Sequence, residues 1–218
     1  SDDPLRLPPA QLQAFIERAC GKVGIPPADA AVIAELMTRA DVNGSDGHGF
    51  FPLPYYNRRI EAGGVSVRPD IRIAAEAPAM ALVDGDNGMG HLVMRFAAET
   101  AIRKAGNTGV AWVGVRWSNH AGPASLYASM PLAHDMIGVY LAVGNANHLP
   151  AWGGLDMLLS TNPIAVAVPA LEEAPVVTPQ PNTGVNLEAL PPPSRKIDIA
   201  IYNFPDLTGQ NKPNDHIA

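Results

Sequence analysis

Apolar residues recur at helical spacing through the first sixty positions, and the period shifts toward alternation after residue 70. Leu12, Phe15, Ile16 and Ala19 lie three or four apart between Pro9 and Lys22, which predicts a first helix with Gly21 and Gly24 as stop signals. Ala31, Ile33, Ala34, Leu36 and Met37 predict a second, from near Pro27 to about Val42, with Pro at an early helical position. Leu53 to Ala62 predicts a third, stopped by Gly63-Gly64. From Ile71 to Glu76 and from Met80 to Val83 the pattern predicts two short strands. A helix from about His91 to Ala105, a strand Val110 to Val115, a helix Ala124 to Ala133 kinked at Pro131 and a strand Ile137 to Val143 follow, and Ile164 to Val168 adds one more strand. Strand, helix, strand, helix, strand is the order of an α/β layer structure. The predicted organisation is a helical region over residues 1–70, an α/β domain over 71–175, and an irregular tail over 176–218, where alternation resumes only at Ile197 to Tyr202.

Composition sharpens the boundary of that tail, because eight of the 22 prolines fall from Leu171 onward. A net charge of -6 gives no general attraction for phosphate backbones or anionic lipid, and no Lys/Arg cluster compensates, so neither a nucleic-acid nor a membrane partner is expected. The lone Cys20 excludes an intrachain disulfide framework and suits a reducing compartment, with the cytoplasm as the default. No run approaches the length of a membrane span. The chain starts at Ser1 rather than Met, which leaves room for an upstream segment.

Chemistry has four places to live. Asp46-Gly47-His48-Gly49 sets an imidazole between flexible glycines at a helix break, where it suits a general acid or base, although a solvated loop histidine fits the same spacing. Asp46 is close enough in sequence to orient the ring. Arg116-Trp117-Ser118-Asn119-His120-Ala121-Gly122 follows a predicted strand, the position where ligands gather in open α/β structures, and helix capping by Ser118 or Asn119 leaves the histidine unexplained. Asp84-Gly85-Asp86-Asn87-Gly88-Met89-Gly90 lacks the dinucleotide G-x-G-x-x-G order and reads as a tight turn with a helix cap. Gly144-Asn145-Ala146-Asn147-His148 follows another strand and is a plausible ligand wall. The histidines form no H-E-x-x-H and no close cluster with carboxylates, so no metal site is expected, and neither a nucleophile elbow nor a P-loop is present.

Read together, these strings resemble a known family. Ala40 to Gly49, Leu53-Pro54-Tyr55-Tyr56, Arg59-Ile60, Ala81 to Gly90, Ser118-Asn119-His120, Trp152-Gly153-Gly154 and Thr161-Asn162-Pro163-Ile164-Ala165 occur in this order in the malate/L-lactate dehydrogenases, the type-2 NAD(P)-dependent 2-hydroxyacid oxidoreductases. The resemblance covers roughly Leu12 to Pro175. It implies a mixed α/β fold that is not Rossmann, a homodimer, and hydride transfer between NAD or NADP and a small 2-hydroxy or 2-keto acid. On this resemblance His48 and His120 are the catalytic pair, with His120 ahead as the acid/base of near-neutral pKa. Tyr56 and Asn145 bind substrate, and Ser118, Asn119 and Gly144 approach the cofactor. The sequence also departs from the family. Gly47 stands where many members carry serine, Pro52 stands where an arginine clamps the substrate carboxylate, and Arg58 or Arg59 replaces it only if the helix turns differently. Beyond about residue 177 the Asp-Met-Ala-Thr and Lys-Gly-Tyr-Gly motifs are missing. The chain therefore reads as incomplete or diverged at its C-terminus, with a catalytically inactive structural or interaction subunit as the alternative.

Overall fold

The computed structural model describes residues 7–144, 149–170, 174–178 and 199–203. Three helices open it: α1 (Pro9–Lys22), α2 (Pro27–Val42) and α3 (Leu53–Glu61), with a 3-10 turn at Asp46–His48 before the last. Each begins with proline in its first two positions, where the missing N–H would have had no intrahelical partner. Ile16, Cys20, Ile33, Met37, Leu53, Tyr56 and Ile60 turn inward and form one core with Met89 and Leu92. Burial there pushes the Cys20 thiol up to about 11, with Glu17 adding to the shift, so the group is inert at neutral pH.

The α/β layer follows as β1 (Arg72–Ala77), β2 (Met80–Gly88), α4 (Gly90–Thr108), β3 (Val110–Ser118), α5 (Ala124–Ala128), a second 3-10 turn (Met130–His134) and β4 (Ile137–Leu141). Short strands β5 (Leu149–Pro150) and β6 (Met157–Leu159) pair with each other, and β7 (Ile164–Val168), β8 (Val176–Val177) and β9 (Ile199–Asn203) complete the set. The main sheet has seven strands in the order β1-β2-β3-β9-β4-β7-β8. Its centre, β2 to β4, is parallel, and β1, β7 and β8 run antiparallel to their neighbours. Parallel strands need helices to return the chain, and α4 is the crossover between β2 and β3. Val93, Ala97, Ala101 and Ala105, spaced by four, are fully buried on its sheet side, and the three alanines let the helix lie close to β3. Burying a side chain such as Val93 stabilises by roughly 1.5–3 kcal/mol. The helix ends at Gly109, whose left-handed φ of 79° returns its N–H to the Ala105 carbonyl.

Four expectations need correction. In the stretch 176–218, expected to be irregular apart from the alternating run Ile197 to Tyr202, the described residues form β8 and β9, and β9 fills the slot between β3 and β4 with Trp112, Ile201 and Val139 on one rung. Without a partner there, two buried strands would face each other with unpaired backbone groups. Asp84 to Gly90 is not a tight turn with a cap. β2 continues to Gly88 through a kink at Asp86 and Asn87, which hold left-handed φ values of 46° and 55°, and Met89 at the helix start makes no side-chain cap. The two aspartates serve the strand, since Asp84 accepts from Arg116 at 2.9 and 3.0 Å and Asp86 accepts from the Asp70 N–H at 2.9 Å. The helix expected over Ala124 to Ala133 stops at Ala128 and tightens into the 3-10 turn, because Pro131 cannot donate to a carbonyl four residues back. Finally, the β5–β6 hairpin was not expected, and it leaves Trp152, Leu155, Met157, Leu158 and Leu159 exposed. Among the described residues no helix is long and apolar enough to cross a membrane.

Candidate active site

The three structural units that the sequence separates meet at one place: the turn before α3, the α3 helix itself, and the end of β3. The turn is shaped by Asp41, whose carboxylate accepts from the Phe50 N–H at 2.8 Å and packs so closely on Gly49 that any side chain there would overlap it. This fixes His48, which stacks on His120 with ring centroids 5.4 Å apart and planes 24° from parallel. Asp46, expected to orient the ring, lies exposed, and the Asp41 carboxylate shapes the turn instead. At the end of β3, Trp117 takes a left-handed φ of 52°, an uncommon conformation for a bulky residue, and the chain turns there before presenting Asn119 and His120. Tyr56, on the buried face of α3, places its hydroxyl 2.5 Å from His120 Nδ1. The Gly122 N–H points at the same nitrogen from 3.4 Å. Nε2 of His120 makes no hydrogen bond among the described residues.

A third histidine, which the sequence did not single out, lies behind this pair. His91 is the second residue of α4, is fully buried, and has no hydrogen-bond partner on either ring nitrogen among the described residues. Its ring meets Tyr56 edge-on at 5.8 Å, and a Cβ on Gly122, whose φ is 78°, would press on His91 Nε2 at 3.2 Å. Gly90 next to it is more tightly constrained, because a Cβ would overlap the carbonyls of Asn119 and His120. A glycine flanking a histidine on each approaching segment was the available sequence signal.

The electrostatics follow from this crowding. Burial, and then the neighbouring His120, push His91 down to about 3. Desolvation by the atoms packed around its ring, and then His48, push His120 down to about 4 although part of the residue stays exposed, and burial also lowers His48. Tyr56 is raised by burial first and by Tyr55 second, so it stays a neutral phenol. The acid/base candidate is thus well below the near-neutral value expected of it, and at pH 7 all three imidazoles are neutral. The Gly122 N–H and the Tyr56 hydroxyl both donate to Nδ1 in the tautomer with its proton on Nε2; the other tautomer, with Nδ1–H donating to Tyr56, gives up the longer Gly122 contact and leaves Nε2 to accept a ligand proton.

Beside His120 lies a shallow opening lined by Tyr55, Tyr56, Arg59, Val65, Met89, Asn119 and His120, with about 10 Å³ of enclosed space, room for roughly one water. Asn119, expected at the cofactor, spends its amide on the protein: Nδ2 donates to the Asn87 and Gly88 carbonyls and to Asn87 Oδ1, each at 3.0 Å, and Oδ1 accepts from Arg59 at 3.2 Å. Ser118 Oγ donates to the Asn119 carbonyl at 3.2 Å. The Gly144 N–H donates to Asn162 Oδ1 at 3.0 Å. Asn145 lies outside the described residues. The fold therefore brings together His48, Tyr56, Asn119 and His120 of the expected set, and adds His91 and Arg59.

Comparison with known proteins shows which family the chain resembles. Residues 7–179 match the family model for malate/L-lactate dehydrogenase. A malate dehydrogenase from Pyrococcus horikoshii is 39% identical over 169 residues, covering 78% of this chain and 47% of the relative. An L-sulfolactate dehydrogenase from Methanocaldococcus jannaschii is 40% identical over 146 residues, 67% of this chain and 42% of the relative. An NAD(+) ureidoglycolate dehydrogenase from Escherichia coli K12 is 31% identical over 158 residues, 72% and 45%. The solved structure of the malate dehydrogenase from P. horikoshii OT3 superposes with a TM-score of 0.78 at 36% identity, covering 86% of this chain and 53% of that one. The chain thus spans about half the length of the relatives it matches. Matched over most of its own length in sequence and in fold, the chain belongs to the malate/L-lactate dehydrogenase family.

Proposed function

We propose that this chain carries the substrate-binding and proton-transfer part of a nicotinamide-dependent 2-hydroxyacid oxidoreductase. The observation that carries the reading is His120, neutral at pH 7 and held at Nδ1 by Tyr56, with Nε2 left without a partner among the described residues beside a shallow opening. In the oxidising direction Nε2 takes the proton of the substrate hydroxyl from the tautomer in which Nδ1–H donates to the Tyr56 oxygen and the longer Gly122 contact is given up. In the reducing direction the same Nε2 returns a proton to the carbonyl oxygen. His48, stacked on the ring, disfavours a second positive charge.

The relatives' chemistry calls for a nicotinamide dinucleotide, and the described residues fit only one side of such a site. A helix N-terminus is the usual seat of a diphosphate. Here the start of α4 is closed by the Asn119 and His120 carbonyls packed on Gly90, which repel an anion. A homodimer belongs to this reading too, supported by the bare apolar side chains of the β5–β6 hairpin.

The test uses the full chain. NADH and NADPH binding is followed by fluorescence, and turnover is assayed with the 2-oxo acids of malate, lactate and sulfolactate. Turnover that falls about 100- to 10,000-fold in His120→Ala, with cofactor affinity retained, supports the reading. No cofactor binding at millimolar concentration favours the catalytically inactive subunit instead.

A further inference from the structure

Arg59 sits in the last turn of α3, three residues after Tyr56 and hence on the same face, while its neighbour Arg58 is exposed. The other described cations that are not exposed all face carboxylates: Arg95 meets Glu35 and Glu99, Lys104 meets Glu76, and Arg116 meets Asp84. Arg59 has no carboxylate partner among the described residues. It is held by neutral oxygens only, donating to Asn119 Oδ1 at 3.2 Å and to the Tyr55 hydroxyl at 3.3 Å, with its guanidinium 5.8 Å from the centre of the Tyr55 ring. A half-buried guanidinium that lines an opening without a counter-charge is poised for an anion, because five donors in a rigid fork match a carboxylate.

The holder is itself fixed. Asn119 cannot turn its amide over without giving up three acceptors on β2, so its oxygen always faces Arg59. Arg59 and His120 line the same opening, one from α3 and one from the end of β3. The substrate they would share carries a carboxylate next to the carbon whose oxygen meets an imidazole.

We propose that Arg59, positioned by Asn119, is the carboxylate-binding cation of this site. This rests on the functional reading above for the role of His120, but the charge pairing can be tested apart from it.

Oxalate is the probe, two adjoining carboxylates with no reactive carbonyl, titrated into the full chain by calorimetry without cofactor and at two salt concentrations. The expected result is salt-sensitive binding by the wild type that weakens about 10- to 100-fold in Arg59→Gln and by less in Arg59→Lys, which keeps the charge and loses the fork. Matching thermal melts confirm that the variants are folded; should Arg59→Gln unfold, Arg59→Lys alone decides, and an unweakened affinity there overturns the proposal. Undetectable binding by the wild type at millimolar oxalate, or equal affinity in Arg59→Gln, also overturns it. Arg59-dependent oxalate binding in a chain that turns over no 2-oxo acid with either nicotinamide would uphold this assignment while sinking the oxidoreductase reading.

Discussion

Lowering the pH from 7 to 5 bears directly on the burial of His91. Its imidazole is fully buried with neither nitrogen paired among the described residues, and desolvation, followed by the nearby His120, pushes its pKa from an ordinary 6.5 to about 3. A base depressed in this way binds fewer protons in the folded chain than in the unfolded one between those two values. Its contribution to stability is therefore complete above about pH 6.5 and is lost as the pH falls toward 3. At pH 5 the unfolded chain holds the proton almost fully and the folded chain hardly at all, so the loss relative to pH 7 integrates to about 2 kcal/mol. That is a large share of the roughly 5–15 kcal/mol that separates folded from unfolded domains. Urea unfolding of the full chain, followed by tryptophan fluorescence across this pH range, measures it, with His91→Met alongside because methionine fills the space without a titrating group. His48 and His120 are depressed too, so both proteins weaken on acidification, and the informative quantity is the difference between them. The wild type should lose about 2 kcal/mol more than His91→Met. Equal losses at unchanged m-values would mean that His91 titrates like an exposed histidine, and the account of the crowded triad would fail.

Three further outcomes follow from the same contacts. Hydroxyacid oxidation should keep its kcat/KM down to about pH 5 and decline near pH 4, where His120 gains its proton, whereas an acid limb near 6.5 would show the ring to be solvated. Tyr56→Phe keeps the ring and removes the hydroxyl on His120 Nδ1, so a thermal melt should register a loss of about 1 kcal/mol, and no change would discount that hydrogen bond. Gly90→Ala forces a methyl group into the Asn119 and His120 carbonyls and should cost about 1–3 kcal/mol, together with a shift of the His120 ring resonances; a neutral substitution would show that the β3 end and α4 are not in contact.

Local periodicity made α1 to α4 legible because each buries one stripe: in α4 the spacing of Val93, Ala97 and Ala101 is the same fact as the burial of that face. Strand ends were harder. β2 and β3 both run past the last apolar residue of their patterns, into Asp84–Gly88 and Arg116–Ser118, because the Asp84–Arg116 pair replaces apolar packing between them. No alternation rule reads an ion pair on adjacent strands as a continuation. β9 was visible as a short alternating run, yet nothing local says that such a run belongs between two strands that precede it by about sixty residues or more.

The site divides along the same line. His120 could be found because a strand end is a place, whereas His91 could not, because its meaning depends on Tyr56 and Gly122 arriving from two other segments. Arg59 is the instructive case, since the sequence allowed it at the substrate only if the helix turned differently. The helix did not need to. Pro52 caps the start of α3, and seven residues at 3.6 per turn bring position 59 back to within roughly 20° of the same face, about 10 Å further along. Helical side chains lean toward the N-terminus, and arginine is the longest of them, so a cation at 59 reaches back toward the space that a shorter reach from 52 would serve. Helix arithmetic alone placed Arg59 on the right face. What it could not supply was Asn119, which comes from 60 residues away and holds the guanidinium there.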